Sequence, residues 1–433
     1  MFTNKTHIHF IGLGGIGVSA MAYWALENGK TVSGSDAVQS AITDNLAKQG
    51  AQVAIGSDKT NLPAGVDLVV YTEAIDRSTH PEFLAATARA IPTLSYFEAL
   101  GALSKAYRTV AVVGTHGKTT TTAMIGLAAI ELGLDPTVFV GSKVREFGQK
   151  NFRAGGSPWL IVEACEYRES FLHLRPYGLI LLNCEAEHLD YYQTEARYRE
   201  GFKRLVDQVD PDGFVIANAA DPNVVDVLSD YQGAIEWVSE ADVKHALSLN
   251  VLGQFNQWNA HMARKALRRL GGEDERIKTA LSHFSGTWRR MEYKGRVNGA
   301  IVLDDYGHHP TEIRATLGAI RAHYPDQRLI CVFQGHQYSR THQLLDLFVD
   351  SFRDADLVWI TDLYEVRDSA LDREKIDGER FAKAIAAVHP QVRYSGSLEQ
   401  TYDALLPVLS PNDVVVIMGA GTIGLLAERL TEG

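Results

Sequence analysis

Val110-Ala111-Val112-Val113-Gly114-Thr115-His116-Gly117-Lys118-Thr119-Thr120-Thr121 carries an apolar strand through a glycine turn and straight into a helix that opens on Lys-Thr. Small residues at such a turn let backbone N–H groups approach phosphate oxygens, and the helix N-terminus adds partial positive charge. Lys118 is placed to reach terminal phosphates and the Thr119 hydroxyl to ligate Mg²⁺, with Gly114, Thr115, Gly117 and Thr120 completing the cradle. The spacing is GxxGKT, shorter than the general GxxxxGKT. Strand, turn and helix together call for an α/β domain with a parallel sheet built around this segment.

The next apolar runs supply partners for a phosphate cradle. Trp159 to Val162 ends in Glu163, and Gly178 to Leu182 is followed by Glu187-His188. In a parallel sheet the carboxyl ends of neighbouring strands face one crevice. A hard cation prefers oxygen ligands, which suits Glu163. Imidazole suits zinc better, so on its own His188 reads equally as a surface histidine.

Upstream, Gly12-Leu13-Gly14-Gly15-Ile16-Gly17 lies between a strand and a helix, with Asp36 near the end of the following strand. This pattern supports an alternative reading, an NAD-dependent dehydrogenase. The pattern specifies a turn for a nucleotide diphosphate, not the identity of the base. A second match, Gly419-Ala420-Gly421-Thr422-Ile423-Gly424, stands nine residues from the end of the sequence, where no ribose-binding acid follows. It reads as a tight strand-to-helix turn or a neighbour of the substrate cleft.

Downstream, Asp304-Asp305-Tyr306-Gly307-His308-His309-Pro310 and Gln334-Gly335-His336-Gln337-Tyr338-Ser339-Arg340-Thr341 each follow a strand-like run. Polar clusters of this kind at strand carboxyl ends are where open α/β sheets bind ligands. The pair Arg289-Arg290 suits bidentate phosphate binding. Short apolar runs alternate with amphipathic stretches from end to end, and three α/β domains are expected over residues 1–106, 107–294 and 295–433.

Composition narrows the function classes. The 433 residues are 45% hydrophobic and 22% charged, an ordinary globular balance. A net charge of -11 argues against nucleic acid as a main partner. Three cysteines, Cys165, Cys184 and Cys331, without CxxC spacing suit free thiols in a reducing compartment. No apolar run reaches the roughly 20 residues of a membrane span, and no signal peptide is evident. A cytoplasmic protein is expected.

Taken together these motifs resemble the Mur ligase family over essentially the whole chain. Gly114 to Thr122 resembles its ATP loop and Leu252-Gly253-Gln254-Phe255-Asn256-Gln257-Trp258-Asn259 its adenine-binding segment. His9 to Gly17, Asp304 to Glu312, Gln334 to Thr341 and Gly419 to Gly424 are similar to the alanine-adding branch. The chain departs from that branch at Cys165, usually Asp, at Gly335, commonly Pro, and at Gln337, often Arg or Thr.

The resemblance implies a Rossmann-like N-terminal domain for a UDP-sugar, a central ATPase-like domain and a Rossmann-like C-terminal domain for an amino acid. It implies ATP-dependent addition of L-alanine to UDP-N-acetylmuramic acid through an acyl phosphate, in peptidoglycan precursor synthesis, by a monomer or weak homodimer. Lys118 and Thr119 would serve ATP and its Mg²⁺, and Glu163 and His188 a second Mg²⁺. Asn256 and Asn259 would hold adenine, and Arg290 and Asp305 would assist with the nucleotide. Gly14, Gly15 and Asp36 would meet the UDP moiety. Tyr306, His308 and Arg340 would line the amino-acid pocket, with His308 a candidate proton acceptor. Within the family, the alternative substrate is a preformed tripeptide used in murein recycling. A non-catalytic P-loop switch protein is a further alternative, one that leaves the outer Rossmann-like regions without purpose.

Overall fold

The structure, a computed structural model, describes residue 2, residues 4–366 and residues 368–432, with the side chains of residues 189 and 190 set aside. Its chain forms two units: Met1–Ser248 with Gln257–Phe284, and Leu249–Asn256 with Ser285–Gly433.

The first unit holds two sheets. One is a five-stranded parallel sheet in the order Gln52–Ile55, Thr31–Asp36, His7–Ile11, Leu68–Tyr71, Thr93–Ser95. Strand order reverses on either side of His7–Ile11, which places the following glycine turn at the topological switch point of the sheet.

The other sheet has seven strands in the order Ile235–Val238, Phe214–Asn218, Gly178–Leu181, Arg108–Val113, Trp159–Glu163, Thr137–Val144, Lys150–Arg153. All neighbours are parallel except the last pair. Val110 to Val113 are all buried, as expected of a strand covered by helices on both faces. Register sets Val112 beside Glu163 and Val113 beside Leu181. The Gly114 turn and Glu163 therefore emerge on one edge.

The strand Lys150–Arg153 offers hydrophobic pattern reading no apolar run. Lys150–Arg153 reads Lys-Asn-Phe-Arg because it is a seam with the first sheet's helix Ile16–Glu27. Asn151 Nδ2 donates to the Ile16 carbonyl, and Lys150 Nζ lies 3.6 Å from Glu27 and 4.9 Å from the Tyr23 ring centre. Beneath it the two sheets share one apolar core, in which Phe10, Trp24, Phe139, Phe152 and Leu160 are buried.

The second unit is a six-stranded sheet in the order Glu292–Val297, Ala300–Asp305, Asp413–Met418, Arg328–Phe333, Leu357–Thr361, Val392–Gly396. Only Glu292–Val297, at the edge, runs antiparallel, and it spans the 294/295 position expected to separate domains. The helix Pro310–His323 starts on a proline, whose fixed φ suits the first turn, and His309 caps it.

Candidate active site

Helix Lys118–Glu131 begins at Gly117, whose φ of 82° is left-handed and therefore favours glycine. A Cβ there would lie 2.6 Å from Asn259 Oδ1, so the loop backbone and Asn259 meet closely. His116 N donates to Asn183 Oδ1 at 2.8 Å, and Thr115 Oγ1 donates to the Glu185 carbonyl at 2.6 Å. These bonds tie the loop to the end of the neighbouring strand, while Thr120 lies half-buried on the first helical turn. The result is a preformed turn at a helix N-terminus, a shape that accepts a phosphate chain.

Lys118 donates from Nζ to the Gly114 carbonyl (2.6 Å), the Thr115 carbonyl (3.1 Å) and Glu166 Oε1 (3.1 Å). Burial disfavours the ammonium, but Glu166 and the neighbouring acids outweigh it and hold the Lys118 pKa above its ordinary value. Burial likewise works against ionised Glu166, and Lys118 and His188 more than offset it, so that its carboxyl titrates below the usual range. Thr119 Oγ1 donates to Glu163 Oε1 at 2.9 Å, and Glu163 Oε2 accepts from Gly141 N at 2.6 Å.

The expected cation ligands thus separate into adjoining sets. Thr119 and Glu163 are hydrogen-bonded partners. His188 sits with Glu166 and Glu187: its Nε2 is 3.5 Å from Glu166 Oε1 and 3.9 Å from Glu187 Oε2. Ligand atoms of Glu166, Glu187 and His188 lie within 4.8 Å of one another, a carboxylate-rich donor set that fits a hard divalent cation. Glu166 and Glu187 were not singled out by sequence reasoning, although both flank residues that were. The signal was their adjacency to Cys165 and His188.

A cleft of about 330 Å³ runs beside this site, lined by Gly15, Gly17, Tyr96, Gly141, Glu163 and Cys165 among others. One wall is the N-terminus of helix Ile16–Glu27. Gly14 N donates to Asp36 Oδ2 at 2.8 Å, so Asp36 fixes the glycine turn. Burial pushes the Cys165 thiol up to about 12. It is a thiol and not a thiolate near neutral pH.

In the second unit, Tyr306, His308 and His336 gather at the strand ends. Ring centres of Tyr306 and His308 are 5.6 Å apart, and those of His308 and His336 are 5.7 Å apart. His308 Nδ1 is 3.1 Å from the Tyr306 carbonyl and 3.7 Å from Glu312. Arg340 lies on the short helix Tyr338–Gln343, entered through Gln337 at a φ of 69°. Arg290 is 3.8 Å from Glu312 and its guanidinium 5.3 Å from the Tyr306 ring centre. Asp305 accepts from Met291 N and Gly307 N, each at 2.8 Å, so its carboxylate holds backbone. Asn256 donates to the Leu252 carbonyl at 2.7 Å. Burial pushes the Asp304 carboxyl up to about 6, against the pull of Arg289. The Gly419 to Gly424 segment is a strand-to-helix turn held by Arg289 and by Gln334, whose Oε1 accepts from Ile423 N at 3.0 Å.

Comparison with known proteins agrees with this layout. Residues 7–108 match the Mur ligase family, catalytic domain, residues 112–236 the Mur ligase middle domain, and residues 289–421 the Mur ligase, glutamate ligase domain. The chain is 38% identical to UDP-N-acetylmuramate–L-alanine ligase of Alkaliphilus metalliredigens, across 98% of this chain and 96% of that one. The crystal structure of UDP-N-acetylmuramate-alanine ligase from Thermotoga maritima superposes with a TM-score of 0.81 at 26% identity, covering 98% of both chains. A murein peptide ligase from Psychrobacter arcticus shares the fold, with a TM-score of 0.71 at 23% identity over 98% of both chains. Three successive domain matches and full-length likeness to curated relatives make this chain a member of the Mur ligase family.

Proposed function

We propose that the chain is an ATP-dependent ligase that joins L-alanine to UDP-N-acetylmuramic acid through an acyl phosphate, in peptidoglycan precursor synthesis. The observation that carries the reading is the Lys118–Thr119 loop set against Glu163, Glu166, Glu187 and His188. The full-length likeness to an alanine-adding relative favours alanine over the tripeptide used in murein recycling. The dehydrogenase reading leaves this loop and its acids without a purpose. We further propose domains at 1–106, 107–294 and 295–433. A cytoplasmic location fits the sequence, and no described helix is long and apolar enough to cross a membrane.

A lactyl carboxylate oxygen attacks the γ-phosphorus of ATP, an O–P bond forms, and the bond to the bridging oxygen breaks to release ADP. Lys118 and the loop amides of Gly114 to Thr120 orient the phosphates and neutralise charge there, which is most of what phosphoryl transfer needs from a protein. Thr119, Glu163 and His188 would hold Mg²⁺, which when bound would supply further charge neutralisation. Asn256 and Asn259 hold adenine, with Arg290 and Asp305 assisting at the nucleotide. Gly14, Gly15 and Asp36 hold the UDP end of the sugar nucleotide. In the second step the alanine nitrogen attacks the acyl carbon, the amide C–N bond forms and inorganic phosphate leaves. The attacking amine must be neutral, and His308 takes its proton. Tyr306 and Arg340 orient the amino acid.

The test is product analysis. With ATP, Mg²⁺, UDP-N-acetylmuramic acid and L-alanine, mass spectrometry should find the sugar nucleotide heavier by one alanyl residue. No product from folded, ATP-binding protein would overturn the assignment.

A further inference from the structure

Lys118 has three N–H donors, and three acceptors take them: the Gly114 carbonyl, the Thr115 carbonyl and Glu166 Oε1. A phosphate oxygen can be served only by exchange. The two carbonyls belong to the loop that shapes the cradle, so the exchangeable partner is Glu166. Its side chain is only 2% exposed, and releasing Lys118 would leave a buried carboxylate without its cation, a costly state.

A replacement partner is at hand. Lys118 Nζ is 3.0 Å from Glu166 Oε2 but donates its hydrogen bond to Oε1, and Oε2 is buried without a hydrogen bond. The same carboxylate stands within 4.8 Å of ligand atoms from Glu187 and His188. Two carboxylates and an imidazole make a set that a divalent cation could bridge, compensating the charge Lys118 leaves behind.

We propose that Glu166 is a positioning residue that couples cation to nucleotide: it competes with phosphate for Lys118, and yields it when a divalent cation engages Glu166, Glu187 and His188. The inference rests on the reading that Lys118 serves the phosphates of ATP. Metal-free nucleotide should bind against the pull of Glu166, whereas nucleotide with Mg²⁺ should not.

The experiment is calorimetric titration of the full chain with ADP, in EDTA and in Mg²⁺, for wild type, Glu166→Gln and Glu187→Gln. Gln at 166 keeps an acceptor and removes the charge. In EDTA, Glu166→Gln should bind ADP about tenfold more tightly than wild type, the scale of one charged hydrogen bond. Its gain in affinity on adding Mg²⁺ should shrink by a similar factor. Glu187→Gln should keep wild-type affinity in EDTA and show the smaller Mg²⁺ gain. Equal or weaker metal-free binding by folded Glu166→Gln would overturn the proposal. So would a wild-type Mg²⁺ gain in Glu187→Gln, which decides the matter if Glu166→Gln does not fold. Failure of wild type to bind ADP under either condition would instead strike the ATP reading of the loop.

Discussion

Arg289 and Asp304 face each other inside the C-terminal unit, guanidinium Nε lying 3.1 and 3.0 Å from the two carboxylate oxygens, with side chains 6% and 2% exposed. The same guanidinium donates to the Gly419 carbonyl at 2.6 Å and the Gly421 carbonyl at 3.2 Å. A Cβ on Gly424 would come within 2.8 Å of it, so the turn is shaped around the arginine. Of the adjacent pair that the sequence offers for phosphate, Arg289 is therefore committed to building the second glycine turn.

Removing one partner of such a pair strands a buried charge. Arg289→Met should destabilise the C-terminal unit by about 3–5 kcal/mol, and the double variant Arg289→Met with Asp304→Leu should recover part of that loss. Urea unfolding of the full chain checks this. A single variant as stable as wild type would mean that the pair does not hold the turn.

Lys118→Ala should lower ATP turnover by about 10³-fold or more, since a preorganised charge at the phosphates is withdrawn. Its far-UV circular dichroism should remain that of wild type, because the loop is also tied by Thr115 and His116. Wild-type turnover in the folded variant would sink the loop assignment.

Gly117→Ala tests the turn itself. A left-handed alanine costs about 1–2 kcal/mol, and here its Cβ would also displace Asn259 Oδ1. ADP affinity should fall about tenfold. Gly133, at a φ of 78° with nothing within 4 Å, is the matched control. Gly133→Ala should bear the same backbone strain and leave ADP affinity alone.

Glu82, wholly buried, receives His9 and Ser35 on Oε2 at 2.9 and 2.6 Å, and Asn61 on Oε1 at 3.1 Å. Burial opposes its ionisation, but these hydrogen bonds prevail and depress its pKa below the usual 4.5. An acid depressed in the folded state stabilises at pH above its unfolded pKa, and that stability is lost as pH falls through the folded value. Glu82→Gln should therefore be less stable at neutral pH by about 1–3 kcal/mol. It should also lose stability less steeply than wild type below pH 4.5. Parallel acid-unfolding curves would contradict this.

What the sequence made legible was whatever depends on local pattern. Buried parallel strands such as Val110 to Val113 are continuous apolar runs, and the helices Tyr96–Ser104 and Pro310–His323 open on capping residues that local pattern can show. Lys150–Arg153 was not legible, since its polar side chains answer to another sheet rather than to its own. Glu166 was passed over for a related reason. Its approach to Lys118 is a contact between residues 48 apart in sequence, made where two neighbouring strands of the sheet end. Asp305 reads as a member of a polar cluster, and the two backbone N–H groups it accepts are not readable from spacing. Spacing reveals which residue types are near one another, not which lone pairs are already used.

Phosphate release from ATP and Mg²⁺, measured with and without UDP-N-acetylmuramic acid and with L-alanine, glycine, L-serine or the wall tripeptide as acceptor, tests the central claim most directly. The account predicts release that requires both the UDP-sugar and L-alanine. Release supported only by the tripeptide would move the chain to murein recycling, and no sugar-dependent release from folded protein would contradict the ligase reading altogether.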